Sequence, residues 1–210
     1  YVEMQVINWR KEMIGYPADG SGILVSGASM ANLVGLTVAR NVKAGYDIRQ
    51  QGITDAPRRM MFYASVEVHS CIPRAVEVLG LGRDSLRLIP VDANFEMDLT
   101  ALESAIAADR AAGHQPVCVI GTAGTVNTGA FDNLTAIADL CARENLWFHV
   151  DGAFGALAAI APSLRHLTAG LDRADSLAFD VHKWMFVNYE AGVAIIRSKD
   201  LHHKTFNTMP

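Results

Sequence analysis

The sequence predicts an α/β fold in which a mostly parallel sheet is flanked by helices. Short apolar runs alternate along the chain with amphipathic helical patterns, and the connections between them are short. This alternation is typical of strand–helix–strand units, which build parallel sheets. The chain has 210 residues, of which 50% are hydrophobic and 19% are charged, so one domain can bury a substantial core.

The first part of the chain contains two strand patterns and two helix patterns. The apolar run "GILVS" (22–26) predicts a strand, and the helical pattern that follows over 29–45 ends at a glycine. "RRMMFYAS" (58–65) is rich in apolar and aromatic residues and predicts a second strand. Over 69–82 the apolar residues recur at helical spacing, which predicts a helix that closes in glycines.

The middle of the chain continues the alternation. "LRLIPVD" (86–92) predicts a short strand, and "DLTALESAIAADRAAG" (98–113) predicts an amphipathic helix. Thr100 is predicted to be the N-cap of that helix, with Glu103 three residues later completing a capping box. "PVCVIGT" (116–122) is apolar almost throughout and predicts a buried strand.

The last part of the chain completes the predicted sheet. A helix is predicted over 132–145 and a strand directly after it over 146–151. Two further strands are predicted over 175–180 and 192–198. In a sheet of this kind ligands bind beyond the carboxyl ends of the strands, so the residues at those ends are the candidates for function.

Composition excludes several classes of function. The formal net charge is −4 and no basic patch is present, which argues against a nucleic-acid partner. No apolar run is long enough to span a membrane, and the N-terminus does not have the pattern of a secretory signal. The first residue is not Met, so we expect the chain to begin inside a longer one. The three cysteines are far apart, which indicates a reducing cytoplasm and no metal site.

The strand that ends at 26 is followed by "SGASMANL", in which small residues open a helix. Amide groups at a helix N-terminus attract anions, so Ala28 and Ser29 are candidates for binding a phosphate. Ser29 alone is equally well explained as an ordinary N-cap. The segment is neither a Walker loop nor the glycine fingerprint of a dinucleotide-binding fold.

Two charged residues also stand at predicted strand ends. Asp151 ends an apolar strand in "HVDGAFG", where it serves either as a buried carboxylate with a cationic partner or as a cap of the next segment. Lys183 follows strand 175–180 in "DVHKW". A desolvated lysine can form a Schiff base with a carbonyl, whereas a surface lysine only packs its stem on apolar neighbours. The Gly/Thr-rich loop 122–132 is open to either a ligand contact or a simple turn.

An anion-binding helix start, a carboxylate and a lysine at the strand ends of one sheet match the needs of pyridoxal phosphate. Its phosphate needs amide donors, its ring nitrogen needs a carboxylate, and its aldehyde needs a lysine. The motifs "ASMANL", "VHSCIPRA", "GTAGTVNTGAFDN", "WFHVDGAFG" and "HKWMFVNYEAG" occur in this order. With them the chain resembles the group II pyridoxal-phosphate-dependent amino-acid decarboxylases, and Trp184 favours the aromatic-L-amino-acid branch over the glutamate branch.

The resemblance implies the type I aminotransferase fold of pyridoxal-phosphate-dependent transferases, with residues 1–210 as a partial large domain. It implies that Lys183 forms the Schiff base and that Asp151 pairs with the ring nitrogen. His69 would stack on one face of the ring, and Ala153 would pack on the other.

The phosphate would be held, on the same resemblance, by Ala28 and Ser29 with help from His182. Two residues depart from the pattern of some relatives. Asp180 stands where some relatives carry an Asn near the phosphate, and a carboxylate there would repel the anion. Val126 stands in a run where some relatives have three threonines, so no role is assigned to it.

The implied reaction is the decarboxylation of an L-amino acid, with an aromatic one favoured, to an amine and CO₂. Other pyridoxal phosphate chemistry on the same fold remains open, such as an aldehyde synthase or a decarboxylase of a glutamate- or diaminobutyrate-type substrate. The family's chains are longer and form homodimers. Their mobile catalytic loop would lie outside this chain, so a catalytically incomplete fragment is a further alternative. An interaction protein that has lost the cofactor is a rival from another class.

Overall fold

The computed structural model describes residues 1–54 and 56–207. Its centre is a seven-stranded sheet with the strand order β1-β7-β6-β5-β4-β2-β3. The strands are β1 Ser21–Val25, β2 Met60–Ser65, β3 Leu86–Ile89, β4 Gln115–Thr122, β5 Trp147–Asp151, β6 Ser176–Asp180 and β7 Gly192–Ile196. β2 to β6 run parallel to one another, whereas β7 is antiparallel to both β6 and β1. The predicted α/β class with a mostly parallel sheet is confirmed.

Helices cover both faces of this sheet. They are α1 Val2–Met13, α2 Ala28–Lys43, α3 Ile48–Gln51, α4 Cys71–Val78, α5 Leu99–Ala111, α6 Leu134–Glu144 and α7 Lys199–Phe206. Short 3₁₀ turns connect β5 to β6. Within the described residues, no helix is both long enough and apolar enough to cross a membrane.

Adjacent residues of the central strands enter two different hydrophobic cores. Val119 of β4 and Phe148 of β5 pack on the side of α5 and α6. Their neighbours Ile120 and Trp147 pack on the opposite side, against residues of α2 and α4. Because successive side chains of a strand point to opposite faces, a sheet covered on both sides needs strands that are apolar throughout. This explains why these strands were predictable from short apolar runs.

The start of α5 corrects one prediction. The N-cap is Asp98 rather than Thr100, because the Asp98 carboxylate accepts hydrogen bonds from the amides of Thr100 and Ala101 at 2.8 and 3.0 Å. Both residues are good caps by type. A carboxylate at the positive end of the helix dipole is the stronger partner, and Thr100 lies in the first turn instead.

Helix α1 was not predicted, because charged residues interrupt its apolar pattern. One of these charges, Lys11, is buried, and its Nζ donates to the carbonyl oxygens of Ala18 and Gly20 at 2.5 and 2.6 Å. Burial lowers the pKa of Lys11. A buried lysine with backbone acceptors is invisible to a reading that assigns every charge to the surface.

Candidate active site

A cavity of about 330 Å³ lies at the carboxyl ends of β4, β5 and β6 and beside the start of α2. This volume lies within the range of small-molecule sites. All the residues that the sequence singled out for the site line it: Ala28, Ser29, His69, Asp151, Ala153, His182 and Lys183. Strand ends of a parallel sheet meet at one edge, so residues far apart in sequence come together there.

Asp151 ends β5 at the bottom of this pocket and is only 3% exposed. Its Oδ1 accepts a hydrogen bond from the amide of Ala153 at 3.1 Å, and the side chain of Asn32 favours its ionised form and so lowers the pKa of Asp151. Among the described residues, no lysine, arginine or histidine nitrogen lies within 4.0 Å of its carboxylate. Burial therefore raises the pKa of Asp151, and the charges of His69 and Lys183 only partly oppose this.

A buried row of hydrogen bonds stands behind Asp151. Trp147 Nε1 donates to Ser176 Oγ at 2.8 Å, and Ser176 Oγ lies 2.7 Å from His149 Nδ1. His149 Nε2 lies 2.7 Å from Asn32 Oδ1. Because the Asn32 amide nitrogen faces the pocket, its oxygen accepts from His149, which assigns the proton to Nε2 and makes Nδ1 an acceptor for Ser176. The donors of Trp147, Ser176 and His149 therefore all point along the row toward Asn32.

The same row includes a thiol at the pocket wall. Asn32 Nδ2 also lies 3.4 Å from Cys71 Sγ, at the first residue of α4. Burial raises the pKa of the Cys71 thiol to about 12, so it stays protonated at neutral pH. Sequence patterns do not predict a role for Asn32, His149 or Cys71, because each of them acts through contacts with residues that are distant in sequence.

Lys183 follows β6 and turns its amine into the pocket. Its side chain is 26% exposed, and Nζ lies 2.9 Å from Asp180 Oδ2. Nζ also lies 4.0 Å from the ring centre of Phe154, a distance typical of a cation–π contact. The amine therefore lies between a carboxylate and an aromatic face rather than in bulk water.

The start of α2 forms the opposite wall. Its N-cap is Gly27, which has no side chain, so the reading of Ser29 as an ordinary N-cap is wrong. The amide of Ala28 donates to Asp180 Oδ1 at 2.6 Å. Gly192 of β7 explains the close approach of this turn, because a Cβ on it would lie 2.6 Å from the Cα of Gly27. Asp180 thus occupies the helix start that the sequence predicted for an anion.

The two histidines of the site are each oriented by a backbone amide. His69, which precedes α4 and is exposed, accepts at Nδ1 from the amide of Cys71 at 3.2 Å. His182 accepts at Nδ1 from the amide of Ala191 at 2.9 Å, and its ring lies 4.6 Å from that of Tyr189. Both imidazoles therefore present Nε2 to their surroundings.

The pocket fits pyridoxal phosphate in two respects that do not depend on the sequence motifs. Asp151 is a buried carboxylate that lacks a cationic partner among the described residues, and a protonated ring nitrogen supplies one. Thr122 Oγ1, in the same pocket, is buried without a hydrogen-bond partner. Buried polar atoms without partners are rare in folded proteins, so a bound polar group is expected there.

A parallel sheet whose strand ends bring an amine, a buried carboxylate and a helix start into one pocket defines the class of pyridoxal-phosphate-dependent enzymes. Within it, the conserved-domain model of the pyridoxal-dependent decarboxylases matches residues 1–210. The chain belongs to the pyridoxal-dependent decarboxylase family.

Known proteins of this family match the whole chain or nearly all of it. An aromatic-L-amino-acid decarboxylase of Bacillus atrophaeus is 41% identical over 209 residues, which is 100% of this chain and 42% of that protein. A cysteine sulfinic acid decarboxylase of Mus musculus is 35% identical over 93% of this chain and 39% of that protein. The crystal structure of Oryza sativa TDC with PLP and tryptamine has a TM-score of 0.89 and 30% identity, over 99% of this chain and 44% of that one. The chain thus spans about two fifths of the length of the curated relatives it matches.

Proposed function

We propose that this chain is the cofactor-binding part of an enzyme that decarboxylates an L-amino acid, with an aromatic one favoured. The observation that carries the proposal is one pocket that holds the Lys183 amine, the Asp151 carboxylate and the start of α2. The 41% identity with an aromatic-L-amino-acid decarboxylase supports the aromatic preference. Since a cysteine sulfinic acid decarboxylase is 35% identical, family membership alone does not fix the substrate.

In this proposal Lys183 binds the cofactor through its amine and Asp151 faces the ring nitrogen. When bound, the cofactor supplies an electron-accepting ring for the electrons released with CO₂. Asp151 holds a proton on the ring nitrogen, because its ionised form is favoured once a cationic N–H faces it. The side chain of Asn32 favours the same ionised form. His69 lies over one face of the ring and Ala153 against the other.

The phosphate is assigned, in the same proposal, to the amides at the start of α2. Ala28 and Ser29 begin a helix of 16 residues whose first turn contains no acidic residue. The dipole of such a helix favours a negative group at this end. His182 lies beside this wall and donates from Nε2, because its Nδ1 already accepts from Ala191.

The test is cofactor binding by the wild-type chain and by Lys183→Ala. Wild type should develop the absorption band of lysine-bound pyridoxal phosphate, and borohydride reduction followed by peptide mapping should place the cofactor on Lys183. Lys183→Ala should show neither signal, whereas Lys199→Ala, which removes an exposed lysine, should show both. A wild-type chain that binds no cofactor, or that carries it on another lysine, would contradict the proposal.

An aldehyde synthase is the nearest alternative, and an incomplete fragment is the next. Both remain open because this chain spans only 42% of the length of the Bacillus atrophaeus decarboxylase. Product analysis of the full-length protein separates them. Amine and CO₂ without ammonia or peroxide indicate decarboxylation, whereas ammonia and peroxide indicate an aldehyde synthase. A full-length protein that binds cofactor and releases none of these products would indicate that the site has lost its activity.

We further propose that residues 1–210 are a partial large domain of a cytoplasmic homodimer. Phe186 and Tyr189, in the segment after Lys183, are 91% and 83% exposed, and large exposed aromatic side chains favour a protein interface. The three cysteines are free and buried, which suits a reducing compartment. Sedimentation of the full-length protein should give a dimer, and a monomer at all concentrations would contradict this.

A further inference from the structure

Asp180 occupies the place that the proposed function assigns to the phosphate. It is the last residue of β6, and its side chain is 3% exposed. Its Oδ1 accepts from the amide of Ala28 at 2.6 Å, and a Cβ added to Gly27 would lie 3.7 Å from the same oxygen. One protein carboxylate thus already fills the anion-binding start of α2.

The second oxygen of Asp180 engages the cationic side of the pocket. Oδ2 lies 2.9 Å from Lys183 Nζ and 3.6 Å from His182 Nε2. Asp180 is therefore faced by three groups that the proposed function assigns to the cofactor. They are the amide of Ala28, the amine of Lys183 and the imidazole of His182. A phosphorylated ligand has to displace this carboxylate from its partners or neutralise it.

The backbone holds Asp180 in place on both sides. Asp180 pairs with Gly192 of β7, and its amide donates to the carbonyl oxygen of Ala153 at 3.3 Å. The next amide, of Val181, donates to the carbonyl oxygen of Ala191 at 3.0 Å. The backbone of Asp180 is thus held on both sides, and its buried carboxylate faces any anion that enters at the start of α2.

The pocket contains few charged side chains that could offset a second anion beside Asp180. α2 contributes no acidic or basic residue in its first turn. The titratable side chains of the pocket come from the ends of β2, β5 and β6 and the segments after them: Glu67, His69, Cys71, Asp151, His182, Lys183, Tyr189 and Glu190. Only one of these is a lysine, and it already pairs with Asp180. A phosphate therefore adds negative charge to a pocket that has little cationic charge left to offset it.

We propose that Asp180 competes with the cofactor's phosphate for the start of α2. This inference rests on the proposed function. Its consequence is a cofactor that is held less tightly than the pocket otherwise allows. Asp180 is then a determinant of cofactor affinity rather than a catalytic residue.

The test compares pyridoxal phosphate with pyridoxal, which differ only in the phosphate. Dissociation constants are measured by absorbance for wild type and Asp180→Asn. In the variant the ratio of the affinity for pyridoxal phosphate to the affinity for pyridoxal should rise at least about tenfold, because the neutral amide does not repel the phosphate. Loss of the Asp180 contact with Lys183 acts on both ligands alike and cancels in the ratio. Asp139→Asn, which removes an equal charge from an exposed pair on α6 outside the pocket, should change neither constant.

Equal ratios of the affinities for pyridoxal phosphate and pyridoxal in wild type and Asp180→Asn would overturn the inference. Failure of both proteins to bind either ligand would instead overturn the proposed function, and this inference with it.

Discussion

The imidazole of His149 is fully buried behind the pocket, and burial lowers its pKa from 6.5 to about 3. In the folded chain it therefore stays neutral where an unfolded chain would already bind a proton. Below pH 6.5 the unfolded state binds more protons at this residue than the folded state does. Acid must therefore destabilise the fold through His149, and the stabilisation is complete only above that pH.

We expect His149→Gln to weaken the loss of stability in acid. In wild type, this residue should remove about 1.4 kcal/mol of the free energy of unfolding per pH unit below pH 6.5. Glutamine cannot be protonated, so urea unfolding measured from pH 7 to 4.5 should show a shallower decline. The matched control is His166→Gln, which removes an imidazole from the exposed surface. Equal slopes for wild type and His149→Gln would contradict the assignment.

The sequence predicted residues that line the pocket but not the buried residues that support them. Asp151 and Lys183 were predictable because their types and positions at strand ends are unusual for a surface. Asn32 and His149 lie 117 residues apart and meet only through packing of α2 on β5. A polar residue inside a helix pattern and a histidine inside a strand carry no sequence signal for such a contact.

Helix α2 comes close to the sheet at Gly35. A Cβ added there would lie 2.7 Å from His149 Cε1 and 3.1 Å from Ser176 Oγ. Both neighbours are fixed by hydrogen bonds and are fully buried, so neither can give way. The missing side chain allows the helix to approach β5 and β6 and lets Asn32 reach its partners.

Gly35→Ala should therefore destabilise the chain by about 1–3 kcal/mol, the usual range for overpacking. This outweighs the gain of about 1 kcal/mol that alanine brings to a helix interior. The measurement is the free energy of urea unfolding. In a His149→Ala background the clash is relieved, so the same substitution should have a much smaller effect. Equal effects in the two backgrounds would show that the imidazole is not the obstacle.

The sequence predicted the strands better than the helices, for a physical reason. Strands buried on both faces are apolar throughout and stand out, as β4 does. α3, α7 and α1 were not predicted, because the first is only four residues long and the other two are rich in charge. The direction of β7 was also beyond the sequence, since a strand pattern does not distinguish parallel from antiparallel neighbours.

For the whole molecule, the pocket joins segments from almost the full length of the chain. Its walls come from the start of α2, the ends of β2, β4, β5 and β6, and the segment up to Glu190. A ligand that binds this site contacts elements that are separate in the unfolded chain. Binding to the folded state alone stabilises it by mass action.

Pyridoxal phosphate should accordingly raise the stability of the chain. At a free concentration of 100 times the dissociation constant, the free energy of unfolding should rise by about 2.7 kcal/mol. Thermal unfolding followed by circular dichroism measures the shift. Lys183→Ala should lose most of it at the same concentration, and Lys199→Ala should keep it. An unchanged melting temperature of the wild-type chain at saturating cofactor would contradict binding to the folded state.

The single helix α2 supplies both Ala28, at the predicted phosphate end of the pocket, and Asn32, at the end that supports Asp151. These residues are one helical turn apart, so the rise of the helix separates them by about 6 Å. A helix is rigid over this length, so α2 fixes the distance between the parts of the pocket that would contact the two ends of the ligand. A substitution that shifts or rotates α2 must therefore displace Ala28 and Asn32 together. Substitutions that change the pocket but keep this spacing must therefore act outside α2.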